Sequence, residues 1–260
     1  MLAELAPERG GWEKTGPPCI MADTMNQKGV PLSAARLLFI LALPVLLFTF
    51  NMDMVAHSDT VYLYGLDRYG AAERLGADPE EVARAGRELI DYWVSPQEQV
   101  DIMILRRGET IQLFNQKEVD HLKDVKTLIS FNRRMLFGLL GYAVAFVVAG
   151  FALRRRRFWG HLLYTLKWGG LLTVGLLVLL AGAAAVNFQG LFILFHLVSF
   201  SNMLWVLDPA TDRLIQMFPE PFFRDATMLV VGATAVEGVL LAWAGWWGRK
   251  RLSVVDADAD

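Results

Sequence analysis

The chain has 260 residues, of which 54% are hydrophobic, and its mean hydropathy is +0.35. Because the apolar residues form long runs, this composition indicates an integral membrane protein and excludes an ordinary soluble domain. The formal net charge is −2, and without a basic face the sequence predicts no nucleic-acid partner. The single cysteine, Cys19, excludes an intrachain disulfide and has no second thiol with which to bind a metal.

Residues 1–30 mix Pro, Gly, Glu and Lys without periodicity, which predicts a disordered cytoplasmic tail. They lack the pattern of a secretory signal, because the apolar run begins too late and has no small-residue cleavage site. Residues 31–50 form the first predicted transmembrane helix, since about 20 apolar residues rising ~1.5 Å each cross a hydrocarbon core of ~30 Å. Pro44 lies inside this helix and predicts a kink.

Residues 51–130 are more polar and predict an extracytoplasmic α+β domain inserted between the first and second spans. Within it, Asp78-Pro79-Glu80-Glu81 is a helix-start pattern, with Asp as N-cap and Pro at the first helical position. Apolar residues at helical spacing then predict a helix over residues 79–93. Two β-prone runs, residues 99–105 and 110–114, flank a glycine-containing turn and predict a hairpin.

A second capping pattern, Asn115-Gln116-Lys117-Glu118, predicts a helix that leads into the second span. The resulting fold class is an α-helical integral membrane protein with four transmembrane helices. The three later spans are predicted at residues 131–153, 161–186 and 227–248. The loop of residues 187–226 separates the last two spans, and residues 188–201 within it are predicted to form a short interfacial helix.

Basic residues in the short connections determine the predicted topology. Four arginines, 154–157, follow the second span, and Arg249-Lys250-Arg251 follows the fourth, so both groups lie at one end of a four-span bundle. Short basic segments remain in the cytoplasm, which places both termini inside, including the C-terminal tail of residues 249–260. The inserted domain and the loop before the fourth span then lie outside.

Two histidines, His121 and His196, are the candidate catalytic residues. His121 shares a helical face with Asp124, and a carboxylate can orient an imidazole, although a solvated surface helix explains the same pattern. His196 stands among Phe, Ile and Leu residues, where a buried imidazole should be neutral and needs a partner, for which a backbone carbonyl would suffice. Both histidines fall at the outer membrane face in the predicted topology, so we expect them to meet as an acid/base pair.

The polar residues that follow His196 have structural explanations. Asp208-Pro209 is a turn start, and Asp208, Asp212 and Arg213 are predicted to support the fold rather than to react. Asn202 suits a helix end as well as a site near His196.

The remaining ionisable groups define no further site. His57 and His161 are predicted to take no part in the chemistry, and Glu237 lies inside the fourth span with no partner that the sequence identifies. There is no His-Glu-x-x-His motif and no cysteine pair, so we expect no metal. No glycine-rich phosphate loop and no Gly-x-Ser-x-Gly motif occur, so neither a nucleotide cofactor nor a serine nucleophile is predicted.

Two segments resemble those of the lipoprotein intramolecular transacylase (Lit) family of bacterial membrane proteins. They are Asp120-His121-Leu122-Lys123-Asp124-Val125-Lys126 and the stretch from Phe195-His196 to Phe218-Pro219, and the resemblance extends over about residues 32–250. It implies that an acyl chain moves from the sn-2 oxygen of a diacylglyceryl-cysteine lipoprotein to the cysteine α-amine, giving the N-acyl lyso-form. The family's two essential histidines would be His121 and His196.

The chemistry of this reaction is compatible with the residues. One histidine would deprotonate the amine and the other would protonate the leaving oxygen or support the oxyanion, and the sequence leaves open which does which. Asp124 would orient His121, and the candidates for oxyanion stabilisation are Asn202, Lys126 and backbone N–H groups. No cofactor is expected, and the expected partners are the lipoprotein substrate and membrane lipid, with the enzyme a monomer in the bacterial plasma membrane.

Three other functions remain open from the sequence. A membrane hydrolase, such as a phospholipase or protease, would use the same histidines to activate water. A non-enzymatic envelope binding or assembly protein would not need them. A haem-b electron carrier would require facing histidines in mid-span, whereas these histidines lie at span ends.

Overall fold

The computed structural model describes residues 30–257 of the chain, and the side chains of residues 33–252. The predicted tail of residues 1–30, apart from Val30, and Cys19 lie outside the described residues. Four long helices dominate the fold: α1 (Val30–Ala56), α5 (Gln116–Arg154), α6 (Phe158–Ser199) and α8 (Glu220–Ala257). The last of these continues past residue 248, where the fourth span was predicted to end.

The shorter elements lie between these helices. They are α2 (Asp59–Arg68), α3 (Ala71–Leu75), α4 (Pro79–Val94), β1 (Met103–Arg106), β2 (Glu109–Gln112) and α7 (Arg213–Met217). A single 3₁₀ turn, Arg155–Arg157, separates α5 from α6, and Arg155 has a positive φ of 50° there.

Three helical stretches of the described chain are long and apolar enough to cross a membrane: Ser33–Ala56, Gln116–Ser199 and Glu220–Leu252. The middle stretch has 84 residues. At ~1.5 Å per residue it would be about 125 Å long if straight, several times the thickness of a bilayer. It is interrupted at the arginine turn, so α5 and α6 are separate helices.

Glycines allow α6 and α8 to pack with their backbones in contact. A Cβ on Gly245 would lie 2.5 Å from the carbonyl oxygen of Leu163, and one on Gly170 would collide with the carbonyl oxygen of Gly238. Small residues at such contacts are typical of helices that associate within a membrane, where close van der Waals packing replaces the hydrophobic effect. This contact fixes α6 and α8 relative to each other along much of their length.

The domain between α1 and α5 has its own core. The buried side chains of α4 recur at helical spacing, as in Val82, Ala85, Leu89 and Trp93, which confirms the helix predicted there. Asp78 caps that helix by accepting a hydrogen bond from the N–H of Glu80 at 2.8 Å. The same core takes in the hairpin, the start of α5 and α7.

The predicted hairpin is present, but its strands are shorter than expected. Met103 pairs with Gln112 and Arg106 with Glu109, so only two residues form the turn. These residues, Arg107 and Gly108, both have positive φ angles, of 49° and 87°. A two-residue turn with this conformation matches the twist of the strands, which explains why residues predicted as loop belong to the ladder.

The predicted capping box opens α5. The Asn115 side chain accepts from the N–H of Glu118 at 3.0 Å, and the Glu118 carboxylate accepts from the N–H of Asn115 at 2.9 Å. The two bonds satisfy donors that a helix start leaves free.

A break at Asn187 divides α6. Asn187 has non-helical φ and ψ angles of −156° and 83°, and its side-chain oxygen accepts from the N–H of Gly190 at 2.8 Å. This bond caps a second helical segment, residues 188–199, where the sequence predicted a short helix over 188–201. Because residues 188–199 continue directly from the first part of α6, they form the end of that helix and not a separate helix within a loop.

The partner of Glu237 is Asn51. The amide of Asn51 donates to the Glu237 carboxylate at 2.8 Å and to the hydroxyl of Thr234 at 3.2 Å, which joins α1 to α8. Nearby, Arg133 on α5 binds Asp53 on α1 at 3.1 Å. These polar contacts connect the helices of the bundle near the C-terminal end of α1.

Candidate active site

His121 and His196 face each other. Their ring centroids are 6.3 Å apart, and the residues are only 6% and 8% exposed. His121 lies in the second turn of α5, and His196 lies in the last turn of α6, so two antiparallel helix ends bring the rings together. The space between the rings is short enough for one reacting group to contact both.

The surroundings of His196 determine which of its nitrogens carries the proton. Its Nδ1 lies 2.7 Å from the carbonyl oxygen of Phe192, four residues earlier in α6. A carbonyl can only accept, so Nδ1 donates and the neutral ring keeps a lone pair on Nε2. The rings of Phe192 and Trp205 contact the imidazole at centroid distances of 4.3 and 4.9 Å. The ring of His196 is therefore held in place, and its unprotonated Nε2 can accept a proton.

His121 has an unsatisfied polar atom. Its Nδ1 is buried and has no hydrogen-bond partner in the described part of the chain. The ring packs edge-on against Phe200 at 5.2 Å. A buried polar atom without a partner is costly and uncommon, so it calls for an explanation such as a bound ligand group.

Both imidazoles lie outside the predicted spans of residues 131–153 and 161–186, and both are neutral near neutral pH. Burial and, to a smaller extent, the neighbouring His196 lower the pKa of His121 to about 4, against the opposing effect of Asp124. Burial also lowers the pKa of His196, against the effect of its bond to the Phe192 carbonyl. Each neutral ring therefore offers one donor and one acceptor.

Asp124 binds Asn202, which corrects the prediction that it orients His121. Its carboxylate accepts from the Asn202 amide at 2.8 Å, and no hydrogen bond joins it to His121 among the described residues. The backbone carbonyl of Asn202 accepts from the indole N–H of Trp205 at 3.1 Å. Since Trp205 packs against the His196 ring in a tilted arrangement, Asp124 is connected to the second histidine through Asn202 and Trp205.

Lys126 braces α5 through the hydrogen bonds of its ammonium. Its ammonium donates to the carbonyl of Ser95 at 2.8 Å, to the Ser95 hydroxyl at 3.2 Å and to the carbonyl of Gln97 at 2.7 Å. It also lies 4.1 Å from the ring centroid of Tyr92. An ammonium has three donors, and these bonds engage all of them, so the predicted oxyanion role would require Lys126 to give up one of these bonds.

Asp212 is the centre of a hydrogen-bonded cluster close to the site in sequence. We call this cluster the brace, and its residues are Asn115, Lys117, Glu118, Asp208, Asp212 and Arg213. It is 4% exposed and accepts from Lys117 at 3.0 Å, from Asn115 at 2.9 Å and from the N–H of Asp208 at 2.8 Å. Burial raises the pKa of Asp212, but the bonds from Asp208, Lys117 and Asn115 outweigh it, so its pKa lies below the usual range. Asp208 in turn accepts from the N–H of Ala210 at 2.9 Å, as expected of a turn start.

Arg213 and Glu118 complete the brace. Arg213 donates to the carbonyl of Leu113 at 3.0 Å, and Glu118 accepts from the N–H of Leu214 at 2.6 Å. The loop between α6 and α8 (residues 200–219) is therefore bound to the end of β2 and to the first turn of α5. His121 belongs to the next turn of that helix, so the brace sets its position relative to the loop.

The other two histidines of the chain lie elsewhere. His57 bonds through Nδ1 to the carbonyl of Asp53 at 2.8 Å, and His161 lies 3.1 Å from Arg36. Within the described residues, no three His, Cys, Asp or Glu side chains are grouped so as to hold a metal ion.

The sequence matches the family model of the lipoprotein intramolecular transacylase Lit over residues 37–223. The chain belongs to this family. The match includes both histidines, the brace and the loop of residues 200–219. A protein of Aquifex aeolicus strain VF5, described as uncharacterized, is 26% identical over 180 residues, which are 69% of this chain and 78% of that protein.

Solved structures of a Lit protein share the fold. The in meso structure of the membrane integral lipoprotein intramolecular transacylase Lit from Bacillus cereus superposes with a TM-score of 0.71 at 21% identity, covering 87% of this chain and 99% of that one. A structure of the same protein with a histidine-to-arginine substitution gives a TM-score of 0.67 at 21% identity, with coverage of 88% and 96%. The likeness establishes the fold of a membrane integral family member.

Some residues of the site carry no local signal in the sequence. Phe192 precedes His196 by four residues, a helical spacing that could have placed its carbonyl and ring beside the imidazole. Lys117 and Glu118 lie within a recognisable capping pattern, but their bonds to the distant loop are not part of that pattern. Nothing near Trp205 in the sequence indicates that it packs against His196.

Proposed function

We propose that His121 and His196 catalyse an O-to-N acyl shift within one diacylglyceryl lipoprotein, from the sn-2 oxygen to the α-amine of the N-terminal cysteine. Membership of the family makes the chain an acyltransferase of the lipoprotein intramolecular transacylase type. The observation that carries the assignment of residues is the facing pair of buried imidazoles, 6.3 Å apart, of which one has a bare nitrogen and the other a buried nitrogen without a partner.

His196 is the base. The α-amine has an ordinary pKa of about 7.7–8 and must lose a proton before it can attack the ester carbonyl. When the free amine attacks, the Nε2 lone pair of His196 accepts the N–H proton that the nitrogen loses as the amide forms. Nε2 can accept because Nδ1 donates to the carbonyl of Phe192. Burial lowers the pKa of His196, so the imidazolium that forms is a stronger acid than usual and releases the proton readily.

His121 is the hydrogen-bond donor to the developing oxyanion. With its pKa lowered by burial to about 4, the ring is neutral and keeps one N–H, and a donor in a buried site stabilises charge without reorganising. The nitrogen of His121 that carries the hydrogen would donate to the substrate oxyanion. If that nitrogen is Nδ1, the substrate supplies the partner that this buried atom lacks. The neutral state avoids two facing cations at the moment of reaction.

The step balances without a co-reactant. The amine nitrogen forms a C–N bond to the acyl carbon, the ester C–O bond breaks, and the proton taken by His196 passes to the glycerol oxygen. No water is consumed and no cofactor is required. Because nucleophile and ester belong to one molecule, positioning supplies a large part of the rate. Well-oriented intramolecular reactions reach effective molarities of about 10⁵–10⁸ M.

The hydrogen-bonded series from Asp124 through Asn202 to Trp205 positions the base. Trp205 lies against the His196 ring with an interplanar angle of 32°. Its indole N–H is fixed by the carbonyl of Asn202, and the Asn202 side chain is fixed by Asp124. The bond to Phe192 sets the tautomer, and Trp205 limits the orientation of the ring.

The substrate's acyl chains approach from the lipid. On the helical segment of residues 188–199, His196 is buried, whereas Leu197 and Val198 are 55% and 79% exposed. Large exposed apolar side chains on a membrane protein face hydrocarbon. The site therefore lies beside a lipid-facing surface, at the depth where a lipoprotein anchor carries its ester bonds.

The topology we propose has four spans, with α1, α5, α6 and α8 each crossing once. The turn of Arg155–Arg157 and the cations at Arg249-Lys250-Arg251 then lie in the cytoplasm, together with both termini. The histidine pair and the domain of α2, α3, α4 and the hairpin lie at the outer face of the bacterial plasma membrane. The enzyme acts as a monomer, since one chain contains both imidazoles.

Tandem mass spectrometry of a synthetic diacylglyceryl lipopeptide treated with the purified protein tests this function. The shift leaves the intact mass unchanged, so the expected product is recognised by N-acyl fragments. A mixture of two substrates with different acyl chains should give no crossed products. His196→Gln should abolish the reaction, and His161→Gln, at a histidine bonded to Arg36, should not. Release of free fatty acid would instead identify a hydrolase, and crossed products would exclude an intramolecular route.

A further inference from the structure

A second polar feature lies at the end of the bundle opposite the histidines. A cleft of about 330 Å³ between α6 and α8 is lined by Lys167, Trp246, Arg249 and Lys250. Lys167 precedes His196 by 29 positions in α6, which corresponds to about 43 Å of helix. The cleft is therefore separate from the acyl-transfer site.

The walls of this cleft are fixed by direct backbone contact. A Cβ on Gly245 would lie 2.6 Å from the backbone nitrogen of Lys167, and one on Gly248 would lie 2.8 Å from Leu163. The glycines therefore allow α8 to lie directly against the part of α6 that carries Lys167. Lys167 and Arg249 project from these two closely packed helices, so cations from both helices line the cleft.

Among the described residues, no carboxylate pairs with Lys167 or Arg249. Residues 158–186 and 238–252 contain no Asp or Glu, and no ion pair within the described residues involves Lys167 or Arg249. The cations lie instead against aromatic rings: Lys167 at 5.1 Å from the centroid of Trp168, and Arg249 at 5.3 Å from that of Tyr164. A ring face attracts a cation but leaves its charge uncompensated.

We infer that this cleft binds the phosphate group of an anionic phospholipid. Lys and Arg donors from two packed helices suit a phosphate, and basic pockets between membrane helices bind anionic head groups. The lipid source is favoured by the flanking surface, because Leu171 and Trp243 are 45% and 55% exposed and offer apolar faces to acyl chains. Aromatic side chains beside the cations are typical of the depth at which head groups lie.

Lipid binding by the purified full-length protein in a neutral detergent tests the inference. Native mass spectrometry and thermal unfolding would be compared for phosphatidylglycerol, phosphatidylcholine and inorganic phosphate. The double variant Lys167→Gln/Arg249→Gln should lose about tenfold or more in affinity for phosphatidylglycerol, since each basic residue near an anionic lipid contributes about fivefold. The matched control Arg156→Gln/Arg157→Gln, with the same charge change in the exposed turn, should lose less than about twofold.

Several outcomes would overturn the inference. Equal binding of phosphatidylcholine and phosphatidylglycerol would exclude recognition of an anionic head group. Inorganic phosphate that stabilises the protein as well as the lipid does would exclude the lipid source. Wild-type affinity in the double variant would exclude the cleft. If that variant fails to fold, Lys167→Arg/Arg249→Lys, which keeps both charges, should retain binding, and loss of binding in this well-folded variant would contradict simple phosphate recognition.

Discussion

Asp124 on α5 and Asn202 in the loop after α6 are joined by a 2.8 Å hydrogen bond across 78 positions of the sequence. The bond fixes the residue whose carbonyl binds the indole of Trp205, and Trp205 lies 4.9 Å from the centroid of His196. The carboxylate of Asp124, on the same helix as His121, is thus connected through Asn202 and Trp205 to the ring of His196. The two halves of the site are coupled through this bond.

Removal of the Asp124 carboxylate should therefore lower kcat more than it changes KM. In Asp124→Ala the Asn202 amide loses its acceptor and Trp205 its fixed position, and a misplacement of about 1 Å costs on the order of 100-fold in rate. Asp124→Asn, whose amide oxygen can still accept from Asn202, should recover part of the loss. Steady-state kinetics would be compared with those of Asp120→Ala on the same helix, which should be near wild type. A pure rise in KM would contradict a positioning role.

Replacement of either histidine should remove most of the activity. Loss of a positioned acid or base costs about 10²–10⁴-fold in rate, and loss of an oxyanion donor costs about 10²–10³-fold. His196→Gln should be the more severe change, because glutamine cannot accept and return a proton. His121→Gln should keep some activity, since its amide N–H can still donate. Single-turnover assays of N-acyl product measure both, and a fully active His196→Gln enzyme would exclude His196 as the base.

The pH dependence of the rate should follow the substrate and not the histidines. Burial lowers the pKa of His121 to about 4 and also lowers that of His196, so both rings titrate below the ordinary pKa of a histidine. The rate should rise with pH through the α-amine pKa of about 7.7–8. A profile of kcat/KM from pH 5 to 9 measures this, and an additional limb near pH 6.5 would show that a histidine titrates at its ordinary value.

The same burial makes stability depend on pH. The folded-state pKa of His121 is depressed to about 4, whereas the unfolded chain binds a proton below about pH 6.5. The contribution of neutral His121 to the free energy of unfolding is fully present above about pH 6.5 and is lost progressively as the pH falls towards 4. Thermal unfolding at pH 7, 6 and 5 should show a smaller decrease in Tm for His121→Gln than for the wild type. An equal decrease in both proteins would contradict a buried neutral His121.

Loss of the brace should reduce stability and activity together. In Asp212→Ala the Lys117 ammonium, the Asn115 amide and the N–H of Asp208 all lose an acceptor, which should cost about 1–3 kcal/mol of unfolding free energy. Lys123→Met removes a lysine whose 3.5 Å pair with Glu98 is exposed, so it should change stability by no more than about 0.5 kcal/mol. Thermal unfolding in one detergent compares the two. Equal values would mean that the loop does not depend on Asp212.

Local patterns predicted the parts of the structure that local physics determines. The caps at Asp78 and Asn115, the stripe of α4 and the hairpin follow from residues a few positions apart. The meeting of His121 and His196 was predictable because both lie at the same end of antiparallel helices. The helix after Asn187 was predicted as well, although the way it continues α6 was not.

The remaining assignments depended on contacts between distant residues. Asp124 has His121 on its own helical face, but its hydrogen bond goes to Asn202, which is brought near only by the folded loop. The sequence does not show that Lys126 donates to two carbonyls and a hydroxyl in the segment that follows α4. Glu237 had no identifiable partner because Asn51 lies 186 positions away.

The most direct test of the account is mass spectrometry of lipoprotein N-termini from a bacterial host that makes diacylglyceryl lipoproteins and lacks its own N-acylase. Expression of this protein should convert free-amine diacyl N-termini into N-acyl lyso-forms, and expression of His196→Gln should not. If only free-amine diacyl peptides are recovered with the wild-type protein present in the membrane, or if the variant gives the same product, acyl transfer by the His121–His196 pair is contradicted.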